Sequence, residues 1–323
     1  MTPLTAVSPP WSGLSSLLVV PPGLFRLILA FAVVISHVSA ISTGRLGVLL
    51  FFYLSGYWTA NIWREKYKEQ KLFRFYLSRY WRIAPLFLLA TFVSAWIRGE
   101  DLQFVNFTLL GIGSTNSDPT GVSWSLDVEL QFYLLLPFVS ALLATATIPT
   151  LIACAALAVF GWWLDNAFEV TTVLKYLPAF ALGALTFIKS WRPTQRSAII
   201  SLVAFVLFTL FTATTPFISK RAPQPFDMDI WAMLWMVPLL PYVAHSLTIR
   251  STKLDRHLGN LSYPLYLVHF PIIAVLTGIY GTSLPVKACA IALGCVLALL
   301  VYWLFDRPVD KLRVKVVEGA LTR

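Results

Sequence analysis

The chain has 323 residues, of which 58% are hydrophobic and only 12% are charged, and its formal net charge is +10. A soluble domain carries about 25% charged residues, and one of this length could not bury so much apolar surface in its core. These values exclude an ordinary soluble protein. They predict an all-α polytopic integral membrane protein, whose basic residues set its orientation and do not bind nucleic acid.

Apolar segments long enough to cross a lipid bilayer recur along the sequence. A hydrocarbon core of about 30 Å needs about 20 helical residues per crossing, so the pattern predicts about ten transmembrane helices in one bundle. These helices span residues 23–41, 47–63, 83–97, 122–143, 148–164, 171–188, 198–215, 229–247, 262–279 and 284–305. A short N-terminal segment (1–22) precedes this transmembrane domain (23–306), and a basic tail (307–323) follows it.

The distribution of Lys and Arg predicts the orientation of the bundle. Basic residues concentrate at positions 64–82, 189–196, 250–257 and 307–323. Placing these segments in the cytoplasm puts eighteen of the 25 Lys and Arg residues inside. This arrangement agrees with an even number of crossings, so both termini are predicted to be cytoplasmic.

Two connections on the predicted outer side are irregular. Residues 99–121 are rich in Gly, Ser, Thr and Asn, and residues 216–226 contain three prolines. Such compositions are typical of loops, which could cover a site that opens away from the cytoplasm.

The first predicted helix contains two ionisable residues, Arg26 and His37. Ionisable groups are costly inside a membrane, so each needs an explanation. Eleven residues are about three helical turns, which places both side chains on one face about 16 Å apart. Arg26 alone could be a cation that reaches the membrane interface, and His37 alone a packing residue. Their shared face favours a polar track into the bundle.

Arg79 and Arg82 lie one turn apart just before the third predicted helix. Two guanidinium groups on one helical face suit a phosphate-bearing ligand. An anchor that binds lipid headgroups at the cytoplasmic surface is the alternative, and the residues alone leave both interpretations open.

The fourth predicted helix opens with two acidic residues, Asp127 and Glu129. The helix dipole favours negative charge in the first turns, which accounts for Asp127 better than for Glu129. Helix geometry places Glu129 and His37 at similar depths below the outer surface. We therefore predict that Glu129 orients His37, as an acid does in a hydrolytic triad.

A stripe of Tyr263, Tyr266 and His269 recurs at every third residue of the ninth predicted helix, and we interpret it as structural. Patterns typical of a zinc protease, a P-loop NTPase or a serine hydrolase are not found, and we expect no metal.

Six short segments, taken in chain order, resemble the motifs of the acyltransferase-3 family of membrane acyltransferases, which O-acylate cell-surface and secreted glycans. They are residues 25–37, 47–57, 79–85, 123–133, 258–269 and 306–308. The sequence departs from the family pattern at two places. An acidic residue before Arg26 is absent, and Asp306 stands where Glu is common.

The resemblance implies functional roles for Arg26, His37, Arg79 and Arg82. Acyl-CoA, in the simplest case acetyl-CoA, is the expected donor, held from the cytoplasm by the three arginines. The expected acceptor is a carbohydrate hydroxyl on the far side of the bacterial inner membrane. His37 is the predicted catalytic base and Glu129 its partner, and direct transfer and a transient acyl-histidine both remain open. A multispan transporter or flippase for a lipid-linked or small anionic substrate is the alternative, with the same residues lining its pathway.

Overall fold

A computed structural model describes residues 18–67, 72–115, 117–213 and 227–319. Over these ranges the chain is helical, and no β-strand occurs in them. The α-helices are α1 (Pro22–Val38), α2 (Gly44–Ile62), α3 (Leu72–Arg98), α4 (Val105–Thr108), α5 (Trp124–Thr145), α6 (Thr147–Phe168), α7 (Val173–Ile188), α8 (Gln195–Ala213), α9 (Met228–Met236), α10 (Leu240–Ser246), α11 (Lys253–Tyr280), α12 (Leu284–Val301) and α13 (Arg307–Arg313). Wide π-helical turns follow α2, α12 and α13, and 3₁₀ turns occur at Ile112–Ser114 and Val237–Leu239.

Six helices in the described part of the chain are long and apolar enough to cross a membrane, and α1 and α7 are shorter apolar helices. The chain is therefore an integral membrane protein, and the all-α class is confirmed. The figure of ten crossings is not confirmed and stays a prediction, although each predicted span overlaps a helix. The eighth predicted span is not one helix, because a 3₁₀ turn that contains Pro238 separates α9 from α10. Proline lacks the N–H that a continuous helix needs.

Two boundaries differ from the hydropathy prediction in ways that matter for function. The third helix begins at Leu72 and not at residue 83, so three basic residues of the predicted cytoplasmic loop, Arg74, Arg79 and Arg82, lie in its first turns. The predicted tail from residue 307 continues as α13 and a π-helical turn to Glu318, and Arg313 is buried there. Polar residues lower the average hydropathy, although a helix can bury them against other helices. The predicted loop at 216–226 and residues 1–17 lie outside the described ranges.

Helices α2 and α7 cross so closely that their backbones touch. A Cβ atom at Gly56 would overlap the carbonyl oxygen of Phe180, and one at Gly183 would overlap that of Tyr53. Small residues permit such approaches between membrane helices, where dispersion contacts replace the hydrophobic effect. Next to this crossing, the ring of Phe180 stacks on Phe132 of α5 at 4.1 Å. The core of the bundle is therefore built around α2, α5 and α7.

Helix α1 is held at its start by a side chain from α11. Its own N-cap residue, Pro21, forms no side-chain cap. The carboxylate of Asp255, which is 3% exposed, accepts hydrogen bonds from the backbone N–H groups of Gly23 (3.1 Å) and Leu24 (2.7 Å). The backbones of α1 and α11 also lie close together at this point, so that a Cβ at Gly23 would overlap the carbonyl of Asp255. Asp255 therefore sets the position of α1 along α11.

We predict that Asp255→Ala destabilises the fold without touching the functional site directly. Loss of a capping carboxylate costs about 1–2 kcal/mol because helix N–H groups lose their acceptor. The thermal unfolding midpoint of the detergent-solubilised protein should fall by several degrees. Asp101→Ala, in an exposed connection, is the control and should leave the midpoint unchanged. Equal midpoints for the two variants would contradict the capping role.

Candidate functional site

A cavity of about 340 Å³ opens inside the bundle. Its lining comes from the first half of α1, α3, α5 and α11, from most of the length of α2 and from α13. The volume lies in the range of small-molecule sites, about 300–1,000 Å³. The charged residues in the lining are Arg26, Arg79, Arg82, Glu129, Asp310 and Arg313. Four of the five predicted site residues thus meet in one cavity, and they are joined by Arg313 from the segment predicted to be a tail.

Two of the four arginines are neutralised by carboxylates. Arg82 forms an ion pair with Asp306 (Nη1 to Oδ1, 2.8 Å), and its guanidinium lies over the ring of Tyr263 at 5.5 Å. Arg313 donates to Asp310 (2.9 Å) and Glu318 (2.9 Å). Asp306 therefore serves as the acidic partner of Arg82, which is a role a glutamate could also fill. The pair between Arg82 and Asp306 joins α3 to the π-helical turn after α12, whereas Arg313 binds its carboxylates within α13 and the turn that follows it.

The other two arginines form no ion pair within the described ranges. Arg79 is only 7% exposed, its Nη2 lies 3.3 Å from the hydroxyl of Ser78, and its Nε has no hydrogen-bond partner there. Arg26 experiences attraction from Glu129 and repulsion from Arg82 without pairing with either. A buried guanidinium without a counter-ion is costly. Four arginines and two carboxylates line the cavity, so its lining has an excess of positive charge and suits an anionic ligand.

Glu129 lies in the same cavity and has two close donors. Its Oε1 accepts hydrogen bonds from the hydroxyls of Ser55 (2.5 Å) and Tyr133 (2.5 Å). Sequence reasoning missed both donors, although Ser55 and Tyr133 belong to the motif segments 47–57 and 123–133. The pairing of Glu129 with His37 stays a prediction, and the structure places the carboxylate among the arginines.

His37 does not line this cavity. It lies near the opposite end of α1, where its exposed ring contacts His269 at 5.2 Å and Phe270 at 4.8 Å between centroids. Both neighbours belong to α11, and Arg26 likewise faces α11 residues across the cavity. The predicted shared face of Arg26 and His37 is therefore the face that packs on α11.

A second group of charges, with two cations and three carboxylates, lies at the other end of α2. Lys175 is 4% exposed and its Nζ lies 2.7 Å from Asp165, 2.7 Å from Asp229 and 3.6 Å from Asp227. Arg45 pairs with Asp229 at 3.3 Å. Because both cations have acidic partners, this group ties α2, α6, α7 and α9 together and presents no unpaired cation to an anionic ligand.

We predict that Lys175→Met impairs folding and not catalysis as such. Removing one partner of a buried ion pair costs about 3–5 kcal/mol because the remaining charges lose their compensation. The yield and thermal midpoint of folded protein should fall, whereas Lys189→Met, at an exposed position, should change neither. A variant with a normal midpoint and no activity would instead assign Lys175 to the site.

Comparison with known proteins connects this geometry to a family. Residues 23–307 match the family model described as an acyltransferase domain, acyltransferase 3. The chain is 25% identical over 317 residues to the peptidoglycan O-acetyltransferase OatA of Listeria monocytogenes, which covers 80% of this chain and 50% of that protein. It is 30% identical over 223 residues to nodulation protein 10 of Rhizobium leguminosarum, covering 64% and 59% of the two chains. The O-acetyltransferase OatA of Staphylococcus aureus is 28% identical over 346 aligned residues, covering 90% and 57%.

The chain thus spans about half the length of the first of these curated relatives. No solved structure matches the chain.

Proposed function

Because the chain belongs to the acyltransferase-3 family, we propose that it moves an acyl group, in the simplest case acetyl, from acyl-CoA to a carbohydrate hydroxyl. The donor enters from the cytoplasm, and the acceptor lies on the opposite side of the bacterial inner membrane. The names of two relatives, both O-acetyltransferases, support this reaction type. The observation that carries the proposal is the cavity with two arginines, Arg26 and Arg79, that have no carboxylate partner among the residues that the structure describes.

A CoA thioester combines anionic phosphates with a long, largely neutral arm, and the cavity offers surfaces for both. The guanidinium groups of Arg26 and Arg79 supply charge-assisted hydrogen-bond donors for phosphate oxygens. Apolar residues line other parts of the same cavity, among them Phe51, Leu54 and Trp58. An anchor for lipid headgroups would require arginines at the surface, and the burial of Arg79 favours a ligand that enters the cavity.

The side of entry is supported by the basic residues around the cavity. Arg26, Arg79 and Arg82 line it, and the segments 64–82 and 307–323 carry much of the positive charge of the chain. Cytoplasmic segments of membrane proteins are enriched in Lys and Arg. This supports a cytoplasmic opening with both termini on that side, where acyl-CoA is made.

His37 acts as the general base in this proposal. Its imidazole takes the proton of the acceptor hydroxyl as the oxygen attacks the thioester carbonyl, because a neutral imidazole titrates close to physiological pH. The C–S bond breaks, and the departing thiolate recovers the proton from the imidazolium. Ester and free CoA are the products, and no metal takes part.

We predict that Arg79→Met weakens donor binding because the hydrogen bonds from this guanidinium to the phosphates of the donor are lost. A hydrogen bond to a charged group contributes about 1.5–3 kcal/mol, so the KM for acetyl-CoA should rise by about 10- to 100-fold. The KM for acetyl-pantetheine, which lacks the nucleotide, should be nearly unchanged. Initial rates of thiol release with the two donors measure this difference.

Arg74→Met is the matched control for this experiment, because Arg74 lies on the same helix and does not line the cavity. It should leave both KM values unchanged. If Arg79→Met raised the KM of both donors equally, or of neither, the role of Arg79 in phosphate binding would be refuted. Movement of a substrate by the wild type without thiol release would support a transporter.

We predict that His37→Ala abolishes transfer but keeps donor binding, because the base is lost and the arginine cavity is not. Transfer of radiolabelled acetyl to surface glycan should fall by about 100-fold or more, with unchanged acetyl-CoA affinity. His245→Ala is the control, since His245 is bonded to the backbone oxygen of Pro193 outside the cavity. Unimpaired transfer by His37→Ala would remove this residue from the mechanism.

A further inference from the structure

One ring nitrogen in the stripe on α11 has no hydrogen-bond partner in the part of the chain that the structure describes. The hydroxyl of Tyr263 donates to the backbone oxygen of Ile83 at 2.7 Å, and that of Tyr266 bonds to Ser125 at 2.7 Å. His269 is 1% exposed, and its Nδ1 lies 3.1 Å from the backbone oxygen of Leu265. Its Nε2 is buried and has no hydrogen-bond partner among the described residues. A purely structural stripe would not leave this atom unsatisfied.

The partner of Nδ1 determines the state of the ring. A carbonyl oxygen can only accept, so Nδ1 carries the hydrogen and Nε2 of the neutral imidazole presents a lone pair. A buried acceptor without a donor costs free energy, and such atoms in folded proteins call for an explanation. The lone pair is therefore available to a donor that arrives during the reaction.

The ring beside this lone pair is that of His37. The two ring centroids lie 5.2 Å apart at an interplanar angle of 52°, so a modest side-chain rotation can bring two ring nitrogens to hydrogen-bond distance. Phe270 packs edge-on against His37 from the same helix, at 4.8 Å. The ring of Phe270 packs directly against Gly121, whose φ is +69°. A Cβ atom at Gly121 would overlap the ring, so the ring has little room to move. His37 is thus held on the side of His269.

We propose that His269 is a positioning residue for His37, accepting at Nε2 the N–H of the imidazolium that forms during acyl transfer. This inference rests on the proposed function. The acceptor hydroxyl gives its proton to the ring nitrogen of His37 that does not face His269, its oxygen forms the ester bond, and the thioester C–S bond breaks. The thiolate then takes that proton from His37, and both imidazoles are neutral again. His269 receives a hydrogen bond throughout and undergoes no net protonation.

The test compares His269→Phe, which keeps the ring volume without an acceptor, with His269→Gln, whose amide oxygen can replace Nε2. His257→Phe is the matched control, because His257 lies on the same helix and its Nδ1 is already bonded to the hydroxyl of Tyr302. The readouts are kcat and KM for acetyl-CoA with a glycan acceptor, together with the thermal midpoint of each variant.

His269→Phe should lower kcat by about 10- to 100-fold, with KM for acetyl-CoA within about twofold of the wild-type value. His269→Gln should recover part of that loss, and His257→Phe should match the wild type. The effects on kcat of substituting two residues that act as a unit are not additive. The double variant His37→Ala, His269→Phe should therefore transfer acetyl no more slowly than His37→Ala alone.

Wild-type kcat in His269→Phe would overturn this inference while leaving the proposed function in place. Equal losses in His269→Phe and His269→Gln, with lowered thermal midpoints, would assign His269 to packing and overturn it as well. A wild-type protein that releases no thiol from acetyl-CoA would overturn the proposed function, and this inference with it.

Discussion

The position of α1 against α11 determines how the functional residues are arranged. Helix α1 has no side-chain cap of its own, and Asp255, which lies 232 positions from Gly23 in the chain, binds its first N–H groups. One helical turn later α1 presents Arg26 to the cavity, and three turns after that it presents His37 to His269. A shift of α1 by one turn would displace both residues together, so the Asp255 contact keeps the binding cavity and the imidazole pair in register.

The electrostatic balance separates the two charged groups of the molecule. At the end of the bundle where α2 begins, Lys175 and Arg45 have carboxylate partners, and the cost of burying each charge is offset locally. In the arginine cavity Asp306 and Asp310 offset Arg82 and Arg313. Arg26 and Arg79 have no ion-pair partner in the described part of the chain, and in a low-dielectric interior they attract an anion much more strongly than surface cations do. The same chemistry therefore stabilises the fold at one end and, in the proposed function, binds the donor at the other.

Hydropathy predicted the helical class well, because the membrane requires long apolar helices that satisfy their own backbone groups. The hydropathy prediction of helix boundaries was wrong where polar residues of a helix face the interior of the bundle. The first turns of α3 and the segment around Arg313 were assigned to a loop and a tail, since an average over a window does not distinguish a solvated arginine from one buried in a cavity. Arg26 and Glu129 were selected because ionisable residues are unusual inside membrane helices, and Arg79 and Arg82 because two guanidinium groups lie one turn apart. Their common location, and the contact of His37 with His269, depend on which helices pack together, and a single sequence does not specify that.

The stripe of side chains on α11 runs from the cavity to His269, which contacts His37. Arg82 lies over Tyr263, Tyr266 lines the cavity, and the ring of Tyr266 is 6.0 Å from that of His269. These residues recur at every third position and so follow one face of the helix. Arg26 and His37 are about 16 Å apart along α1, which runs beside this face. In the proposed function, a donor held by its phosphates at the arginines needs an extended arm to bring its acyl group to the imidazole pair. The proposal therefore requires a carrier-bound acyl group and not a free one, because only a ligand of that length can occupy both places at once.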